Sequence, residues 1–168
     1  LPSILEYRLA EWESFSHTKQ MGVYSRYKKT PGGFRKLVAL LESTPESRKA
    51  RMIEIGTEED PEYTHMALQY VYTFEDILSF EDTELMELIH VAPGRSIAYA
   101  ILGSDQKTRE RFLRCAEPKQ YGMIKEHLEA TPSPFEIKGA QIKLIETARH
   151  LESIGKIKTK RIPDDLAG

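Results

Sequence analysis

Apolar residues in this chain return every three or four positions, and no segment alternates apolar with polar residues between turn signals. A 3.6-residue turn places such positions on one helix face, whereas a half-buried strand needs a period of two. The chain is therefore predicted to be all-α. Phe34, Leu37, Val38 and Leu41 show the pattern most clearly, at i, i+3, i+4 and i+7. Ahead of them, Ser3 to about Lys28 carries Ile4, Leu5, Leu9, Trp12 and Phe15 among charged residues and reads as a long amphipathic helix that loosens near Gly22. Gly32-Gly33 ends that run, because two adjacent glycines lift the steric limits that keep one helix continuous.

Capping residues mark the helices that follow. Thr44 with Pro45, and Asp60 with Pro61, each supply an N-cap and a first-turn proline, which predicts a three-helix unit from about 33 to 71. Beyond it, helices are expected at about 83 to 91 (Leu85, Leu88, Ile89), 95 to 102 (Ile97, Ala98, Ile101), 106 to 116 (Phe112, Leu113, Ala116) and 118 to 130. The last helix has the clearest ends, with Ser133 at N-cap, Pro134 at N1, Glu136 at N3 and Gly155 as the left-handed stop. Its buried face is Ile137, Ala140, Leu144, Ala148 and Leu151. At about 1.5 Å per residue it runs roughly 30 Å, long enough to clasp a bundle. An advance of about 100° per residue turns Tyr121, Ile124 and Leu128 of the 118 to 130 helix inward, and Lys119, Met123, Glu126 and Ala130 outward.

Composition excludes several functions. With 168 residues, 30% charged and 40% hydrophobic, the chain can bury a core without disulfides or metal. Cys115 is the single cysteine, so no disulfide framework exists, a reducing compartment is expected, and a buried thiol on the apolar side of its helix is the natural reading. A net charge of −2 argues against nucleic-acid binding, and Lys156, Lys158, Lys160 and Arg161 read as a solvated tail. No apolar run approaches the roughly 18 residues of a membrane span, so no direct membrane insertion is expected. The start at Leu1 shows no signal peptide, and a first residue other than Met suggests a processed or shortened chain with residues missing ahead of it. His17, His65, His90, His127 and His150 are scattered with no i, i+4 pair, so no metal site is expected. Phosphate loops and Gly-x-Ser-x-Gly elbows are likewise missing, so neither a cofactor nor enzymatic activity is expected.

The segment Val71-Tyr72-Thr73-Phe74-Glu75-Asp76-Ile77-Leu78 reads as a short aromatic junction between two helical blocks, with Tyr72 and Phe74 as packing anchors. Around it stand Thr30-Pro31-Gly32-Gly33-Phe34-Arg35, Glu58-Glu59-Asp60-Pro61-Glu62, Ala100-Ile101-Leu102-Gly103-Ser104-Asp105, Arg109-Glu110-Arg111-Phe112-Leu113-Arg114 and Arg149-His150-Leu151-Glu152-Ser153-Ile154-Gly155-Lys156-Ile157. In order and spacing these resemble the C-terminal half of the bacterial flagellar motor switch family FliG, over roughly residues 30 to 158. Val71 stands where that family's Met-Phe-x-Phe hinge has Met.

The resemblance implies a linker helix at 1–31, an armadillo-like unit at 32–72 and a C-terminal helical domain at 73–168. It implies that Val71, Tyr72, Thr73 and Phe74 are a hinge about which the last domain inverts when the motor changes direction, and that Gly32 and Gly33 are a linker. Lys119, Lys125, Glu126 and His127 would lie on a stator-facing helix, with His127 where a second acid is usual, Leu102 where a lysine is usual and Glu136 where an arginine is usual. Phe34, Leu37, Val38 and Leu41 would be a face that stacks on a middle repeat of the same or a neighbouring chain, the alternatives being that the helix ahead of Gly32 covers it or that a second copy swaps in. The implied partners are FliM-type switch proteins, a MotA-type stator protein and further copies of the chain, in the cytoplasm at the basal body, peripheral to the inner membrane. The alternative is a FliG-like scaffold or assembly protein that has lost torque generation.

Overall fold

The structure, a computed structural model, describes residues 22–167 together with Ser3, Glu6, Arg8 and Ala10. All regular structure among the described residues is helical. Most of the expected first helix lies outside the described residues, although Ser3 and Glu6 cap each other's backbone N–H reciprocally. The chain divides into two compact units, one running through Val71 and resuming at Ile162, the other spanning Tyr72–Arg161. The boundary thus falls one residue before the expected one, and the segment from Ile162 belongs to the first unit instead of the C-terminal domain.

The first unit holds α1 (Val23–Lys29), α2 (Gly33–Ser43), α3 (Glu46–Glu59), α4 (Pro61–Tyr70) and the closing turn α11 (Asp164–Ala167). Its core gathers Val23, Tyr24, Phe34, Leu37, Val38, Leu40, Leu41, Met52, Tyr63, Ala67, Val71 and Ile162. Phe34 meets Tyr63 and Tyr70 edge-on at 5.7 and 5.9 Å between ring centres. Tyr24 donates its buried hydroxyl to Met52 O at 2.6 Å, and its burial, foremost, raises its pKa. Asp60 caps α4 as expected, accepting from Tyr63 N at 3.1 Å. Thr44 does not cap α3: Pro45 occupies the N-cap, and the Thr44 hydroxyl donates backwards to Leu40 O, closing the end of α2.

The second unit holds α5 (Phe74–Leu78), α6 (Asp82–Val91), α7 (Gly94–Leu102), α8 (Gln106–Arg114), α9 (Pro118–His127) and α10 (Pro134–Ser153). The long helix α10 begins at the expected capping box, with Ser133 Oγ accepting from Glu136 N at 3.2 Å and Glu136 Oε2 accepting from Ser133 N at 2.9 Å. It stops ahead of Gly155, which stands at φ 81. It packs on α5, α6 and α7. Its face at Ala140, Leu144, Ala148 and Leu151 is buried and Ile137 is half-buried. Helices α8 and α9 end earlier than the periodicity predicts, at Arg114 and His127.

Two arginines of α8 satisfy carbonyls that helix ends leave without partners. Arg109 donates to Ile101 O and Leu102 O at 3.3 and 3.1 Å. Arg111 donates to Leu78 O at 2.8 Å, to Phe80 O, and to Asp82 Oδ1 at 2.9 Å.

Candidate functional site

The junction residues separate cleanly between the two cores. Val71 closes the core of the first unit, while Tyr72 belongs wholly to the second at 0% exposure. Val71 and Thr73 are extended, and Thr73 opens α5 through a capping box with Asp76. Phe74 is the first residue of α5 and packs, half-buried, against the second core. Its packing therefore lies within one unit, and the Val71–Tyr72 peptide is the point where the chain passes between them.

Within the second unit, Tyr72 sits at the centre of a polar cluster. Its ring meets Phe80 edge-on at 5.8 Å and carries the Arg149 guanidinium at 4.0 Å, and its hydroxyl donates to Thr159 O. Arg149 pairs with Glu152 at 3.2 Å, with both side chains almost wholly buried, and donates to Lys160 O at 3.3 Å. Lys160 Nζ meets Asp76 Oδ2 at 2.7 Å. Glu84 accepts from Lys158 N, Thr159 N and Thr159 Oγ1 at 2.7, 3.1 and 2.5 Å. Burial, the largest influence on Asp76 and Glu84, pushes their pKa values up. The bonds from Lys160 and Thr73, and from Thr159 and Lys158, outweigh it and hold both below the usual carboxylate range.

Sequence reading does not find this cluster. Glu84 looks like one of several acids on a solvated helix face, and its partners stand 74 and 75 residues away. The basic tail is likewise not a free cationic patch, since Lys160 is committed to Asp76.

Helix α9 is anchored by Ile124, which is fully buried, and packs on α7. Lys119, Lys125 and Glu126 are exposed, as expected of an outer ridge, and Lys125 Nζ lies 5.6 Å from the centre of the Tyr121 ring. Tyr121 does not turn inward: it is 41% exposed beside Met123 at 43%. Ile124 is the buried residue of this ten-residue helix, and Leu128 at its C-cap packs half-buried against the same core. His127 is half-buried and meets Tyr99 edge-on at 6.4 Å, which draws it away from a purely solvent-facing role. Glu136 is occupied in the capping box of α10, and Leu102 is half-buried.

Gly32 and Gly33 form the tight turn into α2, Gly32 at φ 69 and Gly33 against the Tyr27 backbone. The stripe of Phe34, Leu37, Val38 and Leu41 is buried inside the first unit by that unit's own residues, including Val23, Tyr24, Ala67 and Ile162. Cys115 is buried and its thiol pKa is raised, by burial first and by Asp82 second. Among the described residues no group of acids, histidines or cysteine has the arrangement of a metal site, and no helix is long and apolar enough to cross a membrane.

Several known proteins that this chain is similar to are FliG proteins. The chain is 24% identical over 160 residues to the flagellar motor switch protein FliG of Borreliella burgdorferi, an alignment covering 94% of this chain and 43% of that protein. It is 24% identical over 142 residues to FliG of Thermotoga maritima, covering 83% and 42%, and 27% identical over 114 residues to FliG of Aquifex aeolicus, covering 67% and 34%. The chain thus spans less than half the length of these curated relatives. A crystal structure of FliG from H. pylori shares its fold, with a TM-score of 0.54 at 15% identity over 94% of this chain and 70% of that one. A second H. pylori FliG structure gives 0.52 at 17% identity, covering 95% and 69%. The sequence model of the FliG C-terminal domain matches residues 57–158, and the chain belongs to that family.

Proposed function

We propose that this chain is part of the flagellar motor switch, acting through protein contacts in torque generation and in control of rotation direction. The observation that carries the reading is the family match over residues 57–158, which takes in both the junction and all of α9. Lys119, Lys125 and Glu126 are the stator-facing residues, supported by their exposure on a helix held in place by Ile124. The partners are FliM-type switch proteins, a MotA-type stator protein and further copies of the chain, at the cytoplasmic side of the basal body. Catalysis has no part in this reading, since contact and reorientation are sufficient for it. Charge complementarity across such a face governs encounter and orientation.

A second reading, a scaffold without torque, draws on three positions. His127 leans on Tyr99, Glu136 is taken up by a helix cap, and Leu102 is uncharged. Together they leave the outer charge pattern thinner than the family resemblance implies.

Lys119→Glu and Glu126→Lys separate the two readings. Exposed charges on α9 contribute only about 0 to 1 kcal/mol to folding, so both variants should melt like the parent. The torque reading expects both to lower the rotation speed of tethered cells, and His127→Asp to raise it. The scaffold reading expects full speed from all three.

A further inference from the structure

The chain passes between its two units at two places. Val71 lies in the first core and Tyr72 in the second; Arg161 ends the second unit, and Ile162, at 0% exposure, is again in the first core. Beyond Ile162, Leu166 and Ala167 pack against that same first core, and α11 rests on α2. On the second unit's side the returning segment is fastened to the outgoing one and to α6. Tyr72 donates to Thr159 O, Asp76 holds Lys160 at 2.7 Å, and Glu84 takes three bonds from residues 158 and 159. Lys160 stands at φ 51, a left-handed conformation that a side-chain-bearing residue keeps only where its surroundings hold it.

We propose that residues 158–167 are a strap, a second tether that reduces the freedom of the Val71–Tyr72 junction from a swivel to rotation about a single axis. The argument is geometric. One extended peptide between two bodies permits rotation about any direction, whereas two short, separately anchored connections leave only rotation about the line joining them. A segment sealed into one core at Ile162 and bonded to the other unit at Thr159 and Lys160 has little slack, because a residue spans at most about 3.6 Å. All of the strap after its first residue lies beyond the stretch that the family model matches, which ends at residue 158. It does not depend on the motor-switch reading and would constrain this chain in any role.

Lengthening the tether while keeping both anchors tests the proposal. An insertion of about ten Gly and Ser residues between Arg161 and Ile162 adds a coil with an r.m.s. span of about 18 Å. Spin labels at Ser47→Cys and Lys107→Cys, both exposed and one in each unit, report the distance between units in a Cys115→Ala background. The width of the distance distribution should increase at least about twofold, with the melting temperature little changed. The same insertion between Thr131 and Pro132, inside the second unit, should leave the width as in the parent. A second variant, Glu84→Gln with Lys160→Ala, loosens the strap without altering the first unit and should widen the distribution by a smaller amount. A width unchanged by both strap variants, or widened equally by the control insertion, overturns the proposal.

Discussion

Gly32 and Gly33 meet different demands in one turn. Gly32 needs a positive φ and has open space around a would-be Cβ, whereas a Cβ at Gly33 would lie 1.7 Å from Tyr27 O. Gly32→Asn, which tolerates the left-handed region, should therefore be close to neutral. Gly33→Ala must displace backbone and should cost about 2 kcal/mol or more, read from urea unfolding. Equal effects at the two positions would contradict this division. The Arg149 and Glu152 pair makes a stronger demand. With both side chains buried, Glu152→Ala removes the carboxylate from a guanidinium that keeps its bond to Lys160 O and its place over Tyr72, and should lower stability by up to about 3 to 5 kcal/mol in urea unfolding. Asp76 and Glu84 add a pH dependence. Their native pKa values lie below the unfolded ones, so their contribution is complete above the unfolded pKa and is lost as the pH falls below about 4. The stability gap between the parent and Glu84→Gln should accordingly be present at pH 7 and shrink as the pH falls through the lowered native pKa of Glu84. A gap that persists in acid would show that Glu84 acts by shape and not by charge. The glycine pair was legible in the sequence because its cause is local. Glu84, Arg149 and Lys160 were not, because their partners are brought in by tertiary structure and a lone charge on a helix looks solvated by default.

Helix ends with a local cap could be read without coordinates: Asp60 before Pro61, and Ser133 with Glu136, form the bonds their spacing implies. Thr44 could not, since a threonine between two helices can close the first as readily as open the second, and here it bonds to Leu40 O. Helix α9 shows the same limit. Periodicity places Ile124 inward correctly but also assigns Tyr121 inward, and a ten-residue helix with one buried anchor leaves that ring exposed. Helix α5 was hidden within the junction motif, and the residue that fixes its end, Arg111, lies on another helix. Arg111→Lys should cost about 2 kcal/mol despite keeping the charge, because an ammonium cannot reach Leu78 O, Phe80 O and Asp82 together. Urea melts of this variant beside Arg114→Lys, a more exposed neighbour expected to be near neutral, check the difference.

At the scale of the molecule, the all-α class and the two helical units follow from periodicity and breakers alone. The return of the chain to its first unit does not, because Ile162 and Leu166 are too few to register as a helix face. Ile162 joins Val23 and Tyr24, from the segment ahead of Gly32, and Ala67 in burying the Phe34, Leu37, Val38 and Leu41 stripe, so the unit's own residues supply the cover that the sequence assigned to a stacked repeat, the preceding helix or a second copy. Both features bear on how a switch built from this chain would move, but the central claim is that the chain serves a flagellar motor. It is tested most directly by tethered-cell rotation in a strain deleted for the gene that encodes this chain, with and without that gene restored. The account predicts that deletion abolishes rotation and that the restored gene returns rotation in both directions. A deletion strain that rotates and reverses like its parent would contradict it.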